Sequence, residues 1–527
     1  MRPVSIVGTI FSGVFLFSAA VLAAEMPASE NSEWGDDSQE VHAEAAPRPT
    51  AIDQEGKIKL SAAVQTTYID FLRSGPALPA TLRYRPWNQF IDLTFLVNPT
   101  DHLNGEAVFR LENVFGGYWG EQNSYAVRRL YIKGDYPVSF CLGDYNAKLT
   151  PLTLQAQDDA NELDARFFTD KEQRNRRESY LLPDGTWPLT GYQVGYYQFL
   201  DEPNHIGVGI ESFGARIGVQ GTATDYFTFA HDQYLVVAAG KLDLSKSFQG
   251  GAAVLNQFDV PETGDSQAAV FKNRINDFHG SLNLWPDHLT VQGEFASSQS
   301  NTDSGRANYF SDQAVNLNLM GGTEYFKLKV AYFQIGGDYF APGAQTRLQD
   351  ARINLPIITE NNTWDAASNW FSTPPILPHY NPAYPLNKYN NRILASQRLA
   401  FFPYEDNLFP YGQATPNRNG YECRLDLDVF NPYVQPIIKY AAAREIKDAT
   451  GDGKRNFVLK EIGSKFAWSW ITGSVDYQNE DTNNGNHIGL TSTTLRGGLE
   501  FKVLPDFEVL LGYKHQDFNG SEFIGNL

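Results

Sequence analysis

Apolar and polar side chains alternate along most of this chain from residue 57 onward. Between Phe326 and Tyr332 every second position is apolar, and Lys327 and Lys329 lie between the first three. The same alternation occurs over 498–503, where the apolar residues are separated by Gly498, Glu500 and Lys502. A period of two over about ten residues is typical of a β-strand with one apolar and one polar face. Because no long segment shows a helical period, the sequence predicts an all-β fold.

The connections between alternating segments come in two sizes. A Pro-Asp turn closes one segment and opens the next at three places, namely 98–103, 285–289 and 504–507. Proline presets φ in such turns, and the aspartate side chain bonds to nearby backbone. The other connections are long, at roughly 146–190, 258–275, 298–311 and 337–418. Short turns on one rim and long loops on the other are characteristic of an outer-membrane barrel.

Two architectures could use so many strands. A soluble sandwich or propeller turns its apolar face inward, whereas a transmembrane barrel turns that face towards lipid. Four charged residues occupy consecutive positions of the polar face over 422–428, which suits a water-filled lumen. The solvent face of a soluble sheet remains the alternative. At roughly 26 residues per strand and connection, residues 57–527 predict one antiparallel barrel of about 16 to 18 strands with long extracellular loops.

The first residues predict export. Met1 and Arg2 precede an apolar run that ends in the small residues Ala23 and Ala24, so residues 1–24 fit a secretory signal peptide. An uncleaved membrane helix is the alternative. Residues 25–56 carry many acids and a single base, and we expect a disordered periplasmic segment. The formal net charge of −19 argues against a nucleic-acid partner.

Two stretches carry a family resemblance. R-L-E-N-V-F-G-G-Y-W-G at 110–120 and V-R-R-L-Y-I-K-G at 127–134 are similar in style to strands of alginate-export-like and anion-selective porins. The chain resembles a Gram-negative outer-membrane β-barrel of the porin type. Such barrels commonly end on a strand with a terminal aromatic, whereas this chain ends G-S-E-F-I-G-N-L. The resemblance implies a location in the outer membrane, with membrane lipid and lipopolysaccharide as neighbours and a homotrimer as one possible assembly.

A barrel of this girth would hold water, so we predict a channel for passive diffusion of small hydrophilic solutes. One alternative is a selective channel or exporter for an anionic solute or polysaccharide, suggested by Arg128, Arg129 and the charged stretch 163–178. Another is a structural or adhesin-like barrel that works through its surface loops. Segment 337–418 could fold inward and narrow the pore.

Channel selectivity follows from the charges that line the lumen. Strand alternation predicts the following pore-lining residues: Lys59, Arg110, Glu112, Arg129, Lys133, Lys327, Lys329, Glu422, Arg424, Asp426, Asp428, Arg496, Glu500, Lys502 and Lys514. The set is mixed and slightly basic, although the whole chain is acidic.

Catalytic and cofactor motifs are weak. The nine histidines are dispersed, and G-I-E-S-F-G at 209–214 lacks nucleophile-elbow spacing, so we predict no enzyme. Asp448, Thr450 and Asp452 match the first half of a calcium loop, but its twelfth position is Leu459 rather than Glu. An Asp/Gly turn at the tip of a hairpin is the alternative. We expect no other cofactor.

The two cysteines are predicted to stay unpaired. Alternation places Cys141 on the polar, inner face of its strand and Cys423 on the apolar, outer face. Two thiols on opposite sides of a barrel wall cannot reach disulfide geometry.

Overall fold

The computed structural model describes most of the chain from residue 58 to residue 520. The described ranges are 58–68, 71–73, 82–84, 87–100, 102–114, 123–135, 137–155, 187–201, 205–218, 232–261, 271–285, 288–301, 310–345, 408–409, 412–428, 433–448, 453–483, 489–504 and 507–520. The predicted signal peptide, the acidic segment 25–56 and the charged stretch 163–178 therefore lie outside the described residues.

Nineteen strands form one antiparallel sheet, and two short strands form a separate hairpin. The sheet strands are β1 (Ile58–Tyr68), β4 (Trp87–Thr100), β5 (Leu103–Val114), β6 (Asn123–Gly134), β7 (Ser139–Ala147), β8 (Trp187–Asp201), β9 (Ile206–Gly218), β10 (Asp232–Ser245), β11 (Phe248–Val260), β12 (Lys272–Trp285), β13 (Leu289–Asn301), β14 (Phe310–Thr323), β15 (Phe326–Ile335), β16 (Arg418–Leu427), β17 (Val434–Arg444), β18 (Asn456–Trp468), β19 (Ile471–Asn483), β20 (Gly489–Leu504) and β21 (Phe507–Gly520). The hairpin consists of β2 (Phe71–Arg73) and β3 (Leu82–Tyr84), and the described residues include one short helix, α1 (Pro342–Gln345). The described residues contain no helix long and apolar enough to cross a membrane.

Each strand of the sheet pairs with the next one along the chain. β1 pairs with β4, and the pairing then proceeds in order from β4 to β21. The three Pro-Asp turns follow β4, β12 and β20, so all of them lie on one rim. The long connections follow odd-numbered strands and lie on the other rim. The predicted asymmetry between the rims is confirmed.

The two faces of the sheet differ in polarity as the alternation predicts. Outward side chains are apolar and exposed, as with Phe278, Ile462 and Leu511. Inward side chains are often polar and buried, as with Asp277 on β12 and Glu294 on β13. An apolar exterior around a polar interior is the arrangement of a transmembrane barrel.

Contacts across the interior show that the sheet is rolled into a barrel. Leu152, which follows β7, donates its backbone N–H to Glu294 on β13 at 2.8 Å. The backbone oxygen of Leu152 accepts a hydrogen bond from the hydroxyl of Tyr339, which follows β15, at 2.6 Å. Five strands of the sheet separate β7 from β13, and seven separate it from β15, so the contacts bridge the lumen. The all-β barrel is confirmed, with nineteen strands rather than 16 to 18, because most connections are shorter than the estimate assumed.

The cysteines lie as predicted. Cys141 is opposite Lys133 on the inner face, while its neighbour Leu142 points outward and is exposed. Cys423 lies between Val330 and Tyr440 on the outer face. Both thiols are free and buried.

Candidate functional site: the barrel lumen

Two stretches of chain fill part of the lumen near the long-loop rim. We call residues 148–155, which follow β7, the inner segment. We call the described parts of the connection from β15 to β16, 336–345 with 408–409 and 412–417, the inner loop ends. Their apolar side chains form a buried core with inward residues of the wall: Leu149, Leu152, Leu154, Tyr339, Ala341, Leu408, Phe409, Phe213, Leu235, Ile275 and Ile335.

The inner segment is anchored by a buried carboxyl group, that of Glu294. Glu294 accepts the hydrogen bond from the Leu152 amide. A second buried carboxyl group, that of Asp277, has its Oδ2 2.6 Å from Nδ1 of His279. Asp277 and Glu294 lie on neighbouring strands and are both buried. Thr150 and Thr153 of the inner segment hydrogen-bond to one another at 2.7 Å. The segment therefore has a defined docking position rather than a loose fit.

Tyr339 joins the inner segment to the inner loop ends. Its ring is almost fully buried, and its hydroxyl donates to the Leu152 carbonyl. Burial, together with the neighbouring Glu294 and Asp277 carboxylates, raises the pKa of Tyr339 well above its ordinary value. The phenol therefore remains a neutral hydrogen-bond donor throughout the physiological pH range.

Backbone hydrogen bonds hold the inner loop ends against the wall. Asn273 donates to the Phe340 carbonyl at 3.3 Å, and the Phe340 amide donates to Ser298 at 2.9 Å. At the far end, the Asn417 side chain bonds to the backbone of Lys447, accepting at 2.7 Å and donating at 2.9 Å. The first described end is thus bonded to the inner wall, and the second to the β17–β18 connection at the long-loop rim.

Lys447 adds an ionic tie at the same rim. Its Nζ lies 2.6 Å from Oδ2 of Asp338, so the β17–β18 connection is linked directly to the start of the inner loop ends. The hydrogen bond from Asp338 raises the pKa of Lys447. Because both groups are substantially exposed, this tie contributes little stability.

Much of the wall charge is neutralised in buried networks. Arg496 donates to Asp476 at 2.8 Å and to Gln478 at 2.8 Å, and it lies 3.6 Å from Glu461. Arg110 makes two hydrogen bonds of 2.6 Å to Asp92. Such bidentate, buried pairs fix the geometry of the wall and leave little charge for a passing solute.

A third network contains Arg418, the residue that begins β16. Its guanidinium lies 3.6 Å from Glu445 and 3.9 Å from the centre of the Phe457 ring. Arg455 shares the same Glu445 at 3.5 Å. This network lies beneath the long-loop rim, where β16, β17 and β18 meet the inner loop ends.

Three cations form a row on the inner wall. The pairing register places Lys329 of β15 opposite Arg424 of β16, and Arg424 opposite Lys439 of β17. Asp426 accepts two hydrogen bonds from Arg424, at 2.7 and 3.0 Å. Lys439 lies 3.7 Å from Glu422. Lys329 is exposed towards the lumen.

Bases on the inner wall are more exposed than the acids they pair with. In the Lys327–Asp428 pair the lysine side chain is 72% exposed and the aspartate 6%. In the Arg129–Glu106 pair the values are 42% for the base and 15% for the acid. In the Lys439–Glu422 pair they are 31% and 16%. The Arg110–Asp92 pair is the reverse, with the base more deeply buried. Water in the lumen therefore meets predominantly positive groups on this part of the wall.

Most residues predicted to line the pore have inward-facing positions. Those with described side chains are Lys59, Arg110, Arg129, Lys133, Lys327, Lys329, Glu422, Arg424, Asp426, Asp428, Arg496, Glu500 and Lys502. The side chains of Glu112 and Lys514 are outside the described set, although both backbones lie in β-strands. Whether this wall conducts remains a prediction.

Of the three residues predicted to bind calcium, only Asp448 lies among the described residues. The Asp448 carboxylate accepts a hydrogen bond from the Gly453 amide at 3.0 Å, as expected for an Asp/Gly turn. Thr450 and Asp452 lie outside the described residues. Among the residues that the structure describes, no group of three or more histidine, cysteine or acidic side chains could hold a metal ion.

Sequence reasoning missed several interior groups. Lys439 completes the cationic row, Glu294 anchors the inner segment, and Asp277 lies buried on the strand next to Glu294. Each lies at an inward position of a strand that alternates, so the same parity rule could have found it. Their roles depend on partners from distant parts of the chain, such as Leu152, which a strand pattern alone does not reveal.

Comparisons with known proteins give only distant similarity. No protein-family model matches the chain, and no curated protein matches it. Among solved structures, Pseudomonas aeruginosa OpdQ is similar at 11% identity and a TM-score of 0.42, covering 88% of this chain and 100% of its own. Acinetobacter baumannii OccAB4 has 10% identity and a TM-score of 0.42, with coverage of 88% and 98%. P. aeruginosa OccK8 (OprE) has 11% identity and a TM-score of 0.42, with coverage of 87% and 98%. These values are too low to carry an argument about substrate or activity.

Proposed function

We propose that this protein is an outer-membrane channel of the porin type that passes small hydrophilic solutes by passive diffusion and favours anions. The observation that carries the proposal is the combination of an apolar outer wall and an inner wall whose exposed charges are mainly lysines. Export would depend on the predicted signal peptide at residues 1–24.

The outer wall supports insertion into a membrane. Large apolar side chains point outward on strands around the sheet, including Leu130 on β6, Phe278 on β12 and Ile462 on β18. Leaving such a belt in water would be costly, at roughly 25 cal/mol for each Å² of apolar surface. Trp468 and Trp470, next to a short turn, provide the aromatic side chains expected where a barrel leaves the bilayer.

The inner wall supports a preference for anions. Lys327 and Lys329 occupy successive inward positions of β15 and are exposed to the lumen. The register places Arg424 and Lys439 beside Lys329, but Asp426 and Glu422 pair with them, so the two exposed lysines supply most of the accessible charge here. Accessible fixed charge sets ion selectivity in a water-filled pore, whereas charge buried in ion pairs contributes little. A solute carrying a carboxylate or phosphate would therefore be drawn to this side of the wall.

Recordings in planar bilayers test the proposal. The purified protein should give discrete conductance steps, and the reversal potential in a potassium chloride gradient should indicate a preference for chloride. Absence of steps would contradict the channel and would favour the structural or adhesin-like alternative. Steps with a preference for potassium would contradict the anion preference alone.

A pair of variants isolates the lysines. Replacing both Lys327 and Lys329 with Gln should lower the ratio of anion to cation permeability, because it removes two exposed positive charges from one strand. Lys272→Gln makes the same chemical change on the outer face of β12 and should leave the ratio unchanged. Equal ratios in both variants and the wild type would contradict a role for β15.

The long connection between β15 and β16 is proposed to narrow the pore. One described end is bonded to Asn273 and Ser298 of the inner wall, and the other is bonded through Asn417 to Lys447 at the rim. Deleting residues 346–407 and joining these ends with a short Gly/Ser linker should raise single-channel conductance. Unchanged conductance would make the deleted part a surface loop.

A further inference from the structure

We propose that a groove on the outer wall, next to the long-loop rim, binds the phosphate-bearing headgroup of an anionic membrane lipid. The groove lies on β15 to β18 and faces away from the lumen. The inference rests on the proposed insertion into the outer membrane, but it concerns a surface that the channel does not use.

The groove has a volume of about 600 Å³. Its floor and sides include Tyr332, Tyr421 and Asn456, and two of its edges are Arg444 and Lys454. Tyr332 and Tyr421 are directly opposite one another across β15 and β16, and both are exposed on the outer face. Tyrosine, with an apolar ring and a polar hydroxyl, suits the boundary between lipid chains and headgroups.

Three cations surround this surface without a described carboxylate partner. Arg444, Lys454 and Lys460 are exposed, and none forms an ion pair with another described residue. The register places Arg444 opposite Asn456. Asn456 follows Lys454 by two residues. Lys460 lies opposite Tyr440 and four residues beyond Asn456 along β18. At the rise of a strand, Lys460 and Asn456 are about 13 Å apart.

Neighbouring acids do not cancel this charge. Glu445 also lines the groove, but its side chain is buried and contacts Arg418 and Arg455. Asp481 lies opposite Val458 on the outer face, and its oxygens accept hydrogen bonds from Thr491 and Asn483. Among the residues that the structure describes on these outer-face positions of β17 to β19 and at Lys454, there are therefore three cations and one acid, which is already hydrogen-bonded. Like charges so close together favour a counter-anion.

The height of the patch matches the headgroup region of a bilayer. Trp468 marks the short-turn end of β18, and Lys460 is eight residues above it on the same face. At the rise of a strand and a tilt of about 40°, this separation is roughly 21 Å along the barrel axis, close to the height of the apolar band of such barrels. Ile462, between them, is exposed and apolar. Lipid chains could therefore lie along the wall below Lys460 while the phosphate meets the cations above.

Lipid titrations of the purified full-length protein, followed by native mass spectrometry, test this site. The probes are dioleoyl phosphatidic acid, dioleoyl phosphatidylcholine with the same chains, and inorganic phosphate. The wild type should bind phosphatidic acid at least tenfold more tightly than phosphatidylcholine. The triple variant Arg444→Gln, Lys454→Gln, Lys460→Gln should lose on the order of a hundredfold in affinity for phosphatidic acid, at roughly fivefold per cation.

Two variants complete the design. Arg274→Gln removes an exposed cation from the outer face of β12, outside the groove, and should bind phosphatidic acid within twofold of the wild type. Lys454→Gln alone changes a residue before β18 and should weaken binding about fivefold even if the triple variant fails to fold.

Three results would overturn the proposal. They are equal wild-type affinity for the two lipids, an unchanged preference in the triple or single variant, and displacement of the lipid by inorganic phosphate at the lipid's own concentration. The last result would indicate a site for free anions. Because binding is measured in detergent, it is independent of conductance: a lipid-binding protein without conductance steps would contradict only the proposed channel.

Discussion

The hydrogen bond from the Leu152 amide to Glu294 should control how firmly the inner segment is docked in the lumen. Glu294→Ala removes the acceptor, which lies 2.8 Å from the amide nitrogen, and leaves a buried N–H without that partner. Such a loss costs about 1 to 3 kcal/mol. If the undocked state regains hydrogen bonds to water, its population should rise by a factor of roughly 5 to 150.

Hydrogen exchange measured by mass spectrometry would detect this change. Peptides covering 148–155 should exchange faster in Glu294→Ala by a similar factor, while peptides from β18 should be unaffected. Single-channel recordings should show more frequent transitions between conductance levels, because the inner segment occupies part of the lumen. Glu294→Gln retains a side-chain oxygen as acceptor and should give a smaller effect.

A matched control separates docking from general damage to β13. Gln292 is the preceding inward residue of that strand, and Gln292→Ala removes an inward amide of similar size. This variant should leave exchange of the inner segment at the wild-type rate. If Glu294→Ala also leaves it unchanged, or if both variants accelerate it equally, the proposed anchoring by Glu294 is wrong.

Three further predictions concern the wall itself. Arg496→Ala should lower the free energy of unfolding by about 3 to 5 kcal/mol, measured in guanidinium, because it leaves buried acids without their cation. Gly143→Ala should lower the free energy of unfolding in the same assay by about 1 to 3 kcal/mol, because φ is +108° and a Cβ would lie 2.1 Å from the Leu130 oxygen. The control is Gly240→Ala, whose Cβ would meet no atom closer than 3.9 Å and which should be tolerated. Cys141 should form no disulfide, so mobility on a gel should be the same with and without reductant.

The barrel wall could be predicted from the sequence because the alternation of apolar and polar residues within each strand shows which side chains face lipid and which face the lumen. Alternation around Lys327 and Lys329 was enough to place both inward, and the Pro-Asp turns were enough to separate the rims. The strand count was less secure, since it depended on an average connection length. Here the long connections concentrate in a few places, and the sheet contains nineteen strands.

The interior could not be predicted in the same way. Leu152 lies more than a hundred residues from both Glu294 and Tyr339 along the chain, yet the three meet in one hydrogen-bonded cluster. No local pattern indicates that the chain after β7 turns into the lumen instead of extending outward. Gly143, with positive φ, lies just before that departure, but an isolated glycine in a strand is a weak signal.

The contrast between total charge and accessible charge decides what the lumen presents to a solute. The residues predicted to line the lumen include both acids and bases, with bases in the majority, whereas the chain as a whole is acidic. Burial changes that balance, because Glu294, Asp277 and Asp476 lie beneath the surface while Lys327 and Lys329 remain in contact with water. A charge screened by a partner at hydrogen-bond distance exerts little field on a passing ion, whereas an exposed lysine can exchange its water for the solute's carboxylate or phosphate. The acidic composition and the proposed anion preference are therefore compatible, and the reversal potential of the Lys327 and Lys329 variants measures which of the two governs the pore.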